Sequence, residues 1–211
     1  PDGVTVQIGN ERLAAGRIVV ALGAWAPASL GRVAGLGQAL QVVRKVLFWF
    51  DAGAVTDAWL GAPIFIWETP NGESFYGIPP ETAAEGVKTA IHSGGEPTHP
   101  DALDRSVRAA DIEAMRAFLR KRLPSVAEAP VLRSAVCMYT MTPDTHFVLG
   151  LHPEQPNVAV AAGFSGHGFK FASVVGEILA DLATDGATRQ PIGLFDPARF
   201  GSGGAILNGA G

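Results

Sequence analysis

Hydrophobic and polar positions alternate from Val4 to Ile8, break at Gly9-Asn10, and resume as a more apolar run over residues 17–22. Period-two alternation around a turn pair reads as a β-hairpin whose second strand is residues 17–22. Residues 23–27 end that strand in a small-residue turn, and residues 28–36 read as a weak helix. From about residue 38 the strands lengthen. Residues 40–50 form one, with Phe48, Trp49 and Phe50 supplying bulk, and residues 63–69 and 73–78 flank Pro70-Asn71-Gly72. Asn-Gly between alternating apolar runs is a strong hairpin signal, and a two-residue turn there sets Trp67 opposite Tyr76. Residues 86–91 read as another strand. Residues 104–122 place Val107, Ile112, Met115, Phe118 and Leu119 on one helical side, with basic residues near the end. Residues 131–140 return to strand and carry Cys137. The unbroken run at 158–162 suits a strand buried on both faces of a parallel sheet. Helical spacing follows in Val174, Val175, Ile178, Leu179 and Leu182. The pattern is α+β: a mixed β-sheet with helices, inserted between two pieces of a different α/β layer. Its expected divisions are 1–38, 39–140 and 141–211, ending in a loose tail over residues 201–211.

The junction between that last strand and helix is the most informative stretch. Gly163, Gly166 and Gly168 permit positive φ and close approach of a flat ligand, and His167 and Lys170 stand where the helix opens. A strand, a glycine turn, a helix N-terminus and a lysine make a seat for an anionic or electron-accepting group. An ordinary strand-to-helix turn has the same composition.

Composition narrows the classes. The 211 residues are 47% hydrophobic, enough to bury a sizeable core. A formal charge of -4 with both signs interspersed gives no basic stripe for nucleic acid. No window reaches the roughly 18 apolar residues of a membrane span and no signal peptide is visible, so the cytoplasm is the expected location. A single cysteine excludes an internal disulfide and a multi-cysteine metal site. The five histidines show no H-x₃-H or H-E-x-x-H element, so no metal is expected. The glycine turn also lacks the spacing of a phosphate-binding loop.

Val136-Cys137-Met-Tyr-Thr140, Pro143-Asp-Thr-His146-Phe, Leu151-His-Pro153 and Ala161-Ala-Gly-Phe-Ser-Gly-His-Gly-Phe-Lys170-Phe resemble the monomeric sarcosine oxidase family. These flavoenzymes oxidise secondary amino acids, and the family includes N-methyl-tryptophan oxidase and pipecolate oxidase. Val20 to Trp25, Pro70-Asn-Gly72, Tyr76-Gly-Ile-Pro79, Gly86-Val-Lys88 and His92 are similar to the same family in the same order. The resemblance covers nearly the whole chain. It implies FAD, an amino acid substrate and oxygen as partners, and a monomeric parent enzyme. Cys137 is then the covalent thioether attachment point for the flavin. Lys88 sits over the flavin and activates oxygen, as a fixed cation stabilises the charge on oxygen as electrons arrive. Tyr76 and His92 line the amine side of the pocket. Lys170 helps to hold the substrate carboxylate, His167 lies close to the ring, and the backbone at Gly166, Gly168 and Phe169 meets its pyrimidine edge.

Read without the resemblance, each residue has a plainer role. Cys137 is a small core residue, Lys88 a solvent-facing strand lysine, and Tyr76 a packing partner for Trp67. Lys88 and His92 share a strand face about 13 Å apart. His146 and His152 read as turn residues, and His99 as solvated. One departure from the family is large: no G-x-G-x-x-G follows an early strand, and no acidic residue stands about 20 positions later. Together with the start at Pro1-Asp-Gly, this gives the expectation of a carboxyl-terminal portion of an oxidase: an α/β remnant of the FAD-binding layer plus a mixed-sheet substrate domain. Alone, it is expected to hold FAD poorly and to keep Cys137 as a free thiol. A cofactor-free scaffold or substrate-binding fragment, and a dehydrogenase that avoids oxygen, are the competing readings.

Overall fold

The computed structural model describes residues 3–30 and 36–200. From the amino end these form β1 (Val4–Ile8), β2 (Glu11–Ala15), β3 (Ile18–Val20), α1 (Ala26–Leu30), α2 (Leu36–Ala39), β4 (Gln41–Phe50), α3 (Thr56–Trp59) and β5 (Phe65–Glu68). Next come β6 (Ser74–Ile78), β7 (Val87–Ile91), β8 (Glu96–Pro97), α4 (Ala109–Arg122) and α5 (Pro124–Ala127). Last come β9 (Val131–Met141), β10 (Val148–His152), β11 (Gln155–Ala162) and α6 (Ala172–Thr184). The chain divides into two units, residues 43–138 and residues 1–42 with 139–211, and each division falls within a strand. Helices and strands are mixed throughout, as an α+β class requires. The expected tail, residues 201–211, and the middle of the expected weak helix, residues 31–35, lie outside the described residues.

In the unit of residues 43–138 the sheet runs β5-β6-β7-β4-β8, and β9 also pairs with β4. Strand periodicity sorts its residues onto two faces. Phe48 and Phe50 lie opposite Thr89 and Val87 in the β4–β7 ladder and pack with Phe75, Met115, Leu119 and Val126. Lys45, Leu47 and Trp49 alternate with these on β4, and Lys88 and Ala90 do so on β7. Arg44 belongs to the helix-facing set. It is 5% exposed and holds Asp111 through two 3.0 Å hydrogen bonds, while its Nε donates to the carbonyl of Asp104 at 2.9 Å. This pair keeps Asp111 below the ordinary carboxylate range, chiefly through the Arg44 hydrogen bond.

Three local expectations are corrected. Helix α4 begins at Ala109 rather than at residue 104. The Asp104 carboxylate accepts from both the amide and the hydroxyl of Ser106, and its carbonyl is taken by Arg44, so that segment bonds as a turn. The β5–β6 hairpin has a three-residue loop, closed by Thr69 N–H donating to Glu73 O, in which only Gly72 has positive φ. A two-residue primed turn needs positive φ at Asn71 as well. The register therefore shifts, so that Trp67 faces Phe75 and Tyr76 faces Ile66. The first hairpin pairs β1 with β2, not with residues 17–22, and β3 joins a different sheet.

That second sheet, in the other unit, runs β10-β11-β3, with β11 parallel to β3 and antiparallel to β10. Both faces of β11 are buried, as the unbroken apolar run predicts. Val158, Val160 and Ala162 pack with Ala26, Leu30, Leu36 and Phe200, while Ala159 and Ala161 pack with Val175, Ile178 and Leu182 of α6. Arg17 donates to the carbonyls of Leu182, Ala183 and Thr184 at 3.3, 3.3 and 2.8 Å. A cation thereby satisfies the open C-terminal end of α6.

Thr89 is fully buried on the helix-facing side, and its Oγ1 has no hydrogen-bond partner among the described residues. A buried hydroxyl without a partner carries a desolvation cost that a methyl group of the same shape does not. Thr89→Val is therefore expected to stabilise the chain by about 1 kcal/mol. A urea midpoint that falls in the variant contradicts this.

Candidate active site

The chemistry-bearing side chains of residues 43–138 gather on the sheet face opposite α4. Lys88 lies opposite Trp49 in the β4–β7 ladder, and its Nζ stands 5.2 Å from the centre of that indole. The guanidinium of Arg133, on β9, stands 3.9 Å from the same ring. Lys88 is thus half-buried against an aromatic platform rather than a plain solvent-facing lysine. Cys137 is half-buried on β9. Burial pushes its thiol above the ordinary value, and the charges of Lys45 and then Lys88 pull it back. Tyr76 of β6 and His92, just beyond β7, meet edge-to-face with ring centres 6.4 Å apart. Lys45, Lys88, Cys137, Tyr76 and His92 therefore belong to one unit.

Lys45 is a candidate residue that pattern reading missed. Its Nζ donates to the carbonyls of His92 and Ser93 at 2.8 Å and of Gly94 at 2.5 Å, with Ile91 O at 3.5 Å. Burial pushes it down to about 8, opposed by the attraction of Cys137. Its only signal in the sequence is two adjacent cations, Arg44-Lys45, inside an otherwise apolar strand.

The glycine turn lies in the other unit. Gly163 and Gly166 have φ of 61° and 79°, and Ser165, a non-glycine, has 49°. Ser165 is held in that conformation on several sides: its N–H donates to Thr140 O at 2.9 Å, and its Oγ accepts from Thr142 N–H at 3.2 Å and donates to Gly163 O at 3.1 Å. Gly168, expected to use positive φ, has φ of -78°. Its glycine is required sterically, since a Cβ there meets the Phe164 ring at 2.5 Å. At Gly166 a Cβ meets the Tyr139 ring at 2.2 Å. His167 is tied down through Nε2, 3.0 Å from Thr145 O, and its ring lies tilted against Phe147 with centres 5.0 Å apart. Phe147 also contacts Phe164, Phe171 and Phe195. Phe169 is 96% exposed, and Lys170 is exposed with its ammonium 5.7 Å from the Phe171 ring.

The remaining histidines have local roles. His152 Nδ1 accepts from the amides of Glu154 and Gln155 at 3.1 Å, His146 donates its N–H to Asp144, and His99 accepts from Asp101 N–H. Among the described residues no cluster of three or more His, Cys, Asp or Glu could hold a metal, and no helix is long and apolar enough to cross a membrane.

A family model described as FAD dependent oxidoreductase matches residues 1–182. The monomeric sarcosine oxidase of Streptomyces avermitilis is 42% identical over 203 residues, which are 94% of this chain and 52% of that protein. The N-methyl-L-tryptophan oxidase of Citrobacter koseri is 35% identical over 184 residues, 86% of this chain and 47% of that one. Among solved structures, NikD, an unusual amino acid oxidase essential for nikkomycin biosynthesis, aligns with a TM-score of 0.71 at 27% identity, covering 93% of this chain and 51% of its own. The glycine oxidase of Geobacillus kaustophilus, with a TM-score of 0.70 at 23% identity, shares the fold. The chain spans about half the length of the curated relatives it matches.

Two outcomes test this geometry. Gly166→Ala is expected to destabilise the chain by about 2 kcal/mol, combining a left-handed backbone penalty with the Tyr139 clash. In the Tyr139→Leu background the clash part should vanish, leaving about 1 kcal/mol, and equal losses in both backgrounds contradict the packing argument. For Cys137, iodoacetamide alkylation followed against pH should give a midpoint above that of a cysteine peptide. Lys88→Met removes a cation that favours the thiolate, so it should raise the midpoint further; a fall refutes the electrostatic reading.

Proposed function

The chain belongs to the FAD dependent oxidoreductase family, and on that premise we propose that it carries substrate-side and flavin-facing residues of an oxidase of small secondary amines such as N-methyl amino acids. The observation that carries this reading is Cys137, a half-buried thiol within the influence of two lysines, on the same sheet as an edge-to-face Tyr76–His92 pair. A thiol within reach of two lysine charges suits attachment to an electron-accepting ring, and the donor set fits FAD. When bound, FAD supplies two-electron oxidation of the amine and return of those electrons to oxygen. The substrate loses two electrons and two protons across its C–N bond to give an imine, and oxygen takes them up as hydrogen peroxide.

Cys137 is the covalent attachment point in this proposal. Lys88, braced on Trp49, is a fixed positive charge that stabilises negative charge developing on oxygen, with no reorganisation needed at that moment. Tyr76 and His92 orient the amine, since both can exchange hydrogen bonds with an N–H group. In the other unit, Lys170 is assigned to the substrate carboxylate, and the turn over Gly166, His167, Gly168 and Phe169 to the flavin's pyrimidine edge. The relatives' names are those of oxidases of sarcosine and N-methyl-L-tryptophan, which motivates both as first substrates. The working enzyme is proposed to act as a monomer.

The test joins the chain to the G-x-G-x-x-G segment of a monomeric sarcosine oxidase and compares it with the chain alone. The joined protein is expected to be yellow, to keep a flavin mass on the Cys137 peptide after denaturation, and to release peroxide from sarcosine or N-methyl-L-tryptophan. Alone, the chain is expected to be colourless with an unmodified Cys137. In the joined protein Lys88→Met should slow reoxidation by oxygen on the order of a hundredfold, an effect a dehydrogenase lacks. A folded, colourless, inactive joined protein overturns the oxidase reading and leaves a cofactor-free binding or scaffold fragment.

A further inference from the structure

The β4 strand changes partner along its length. It pairs with β7 from Phe50↔Val87 to Leu47↔Ala90, then with β8 at Arg44↔Glu96 and Val43↔Pro97. Residues 91–95 leave the ladder between these two stretches. Gly94 and Gly95, with φ of 60° and 133°, allow the excursion, and a Cβ on Gly95 meets Val43 at 2.9 Å. A half-buried excursion that leaves the ladder at Ile91, His92 and Ser93 must find other partners for its carbonyls. Here one ammonium supplies them, because Lys45, 5% exposed, lies against the carbonyls of Ile91, His92, Ser93 and Gly94. These acceptors are also what make burial of the ammonium tolerable.

The same segment is fastened from the other side by Ser74 of β6. Its carbonyl accepts from His92 N–H at 2.8 Å and Ser93 N–H at 3.3 Å, and its own N–H donates to Ser93 Oγ at 2.9 Å. His92 is thus clamped between a serine on one neighbouring strand and a lysine on the other, with its ring edge-to-face with Tyr76. We infer that Lys45 is a positioning residue for the amine-binding pair: its ammonium gathers the carbonyls of residues 91–94 and so holds the His92 ring against Tyr76. Lys45 acts through His92 and does not itself touch the substrate. The functional part of this inference rests on the assignment of His92 and Tyr76 to the amine.

The first readout needs no flavin and uses the chain as it is. Lys45→Met is expected to speed amide hydrogen exchange at His92 and Ser93 by about tenfold, and to shift the His92 ring proton signals as the Tyr76 ring current is lost. Lys45→Gln keeps two N–H donors on a stem one atom shorter, and should fall between Met and wild type. A role in stability alone lowers the urea midpoint while leaving the native His92 ring signals in place, which overturns the inference. Wild-type exchange at His92 and Ser93 in Lys45→Met overturns it too. Should Lys45→Met not fold, Lys45→Gln decides: faster exchange confined to residues 92–94 supports the clamp, and unchanged exchange overturns it. In the flavin-loaded joined protein, Lys45→Met should raise KM more than it lowers kcat. Altered exchange with an unchanged KM overturns the assignment of His92 to the substrate while the clamp itself stands.

Discussion

Two adjacent cations buried on one strand govern the organisation of residues 43–138. Arg44 and Lys45 stand next to each other on β4, and strand periodicity sends them to opposite sides of the sheet. Each is almost wholly removed from water, so each must be met by oxygen atoms or the fold is lost. Arg44 finds the Asp111 carboxylate and the carbonyl of Asp104, which fixes where α4 begins. Lys45 finds carbonyls beyond β7, which fixes where the ladder stops and His92 is presented. One face is anchored to its helix and the other to the 92–94 segment by the same desolvation constraint.

That constraint explains the division of labour across the sheet. The α4 side is apolar and closely packed, with Phe48, Phe50, Phe75, Met115 and Leu119 at its centre. The opposite side carries Lys88, Trp49, Tyr76 and Cys137 in half-buried settings, where charges retain strength without the full cost of burial. A thiol raised by burial and lowered by lysines has its reactivity set by the balance of the two. Rigid strands hold these groups, and their spacing follows from the ladder rather than from loop conformation.

In the other unit the corresponding constraint is steric. Val158 to Ala162 have apolar partners on both faces, so the strand ends rigidly at Gly163. The turn beyond it is over-determined: Ser165 is held at positive φ by hydrogen bonds, and Gly166 and Gly168 leave room for the rings of Tyr139 and Phe164. Strain of this kind persists only where the surroundings impose it, and it concentrates at functional sites.

Much was legible in the sequence because local pattern and burial agree there. The unbroken run of β11, the helical spacing of α6, the strands carrying Lys88 and Cys137, and the segments resembling sarcosine oxidases all follow from residue order. Register did not, because a strand's side-chain period carries no information about which partner residue it faces. The three-residue loop with its single left-handed Gly72 set Trp67 opposite Phe75, while the β6–β7 ladder brought Tyr76 beside His92. The start of α4 and the pairing of β1 with β2 were likewise decided by distant or competing partners. Gly166 and Gly168 were recognisable as necessary, yet their reasons lie in aromatic rings that only the folded chain brings beside them. Lys45 is the sharpest case. The sequence by itself determined that a lysine sits in an apolar strand; the tertiary structure decided that four carbonyls converge on it, because acceptors for a buried charge come from wherever the fold leaves backbone unpaired.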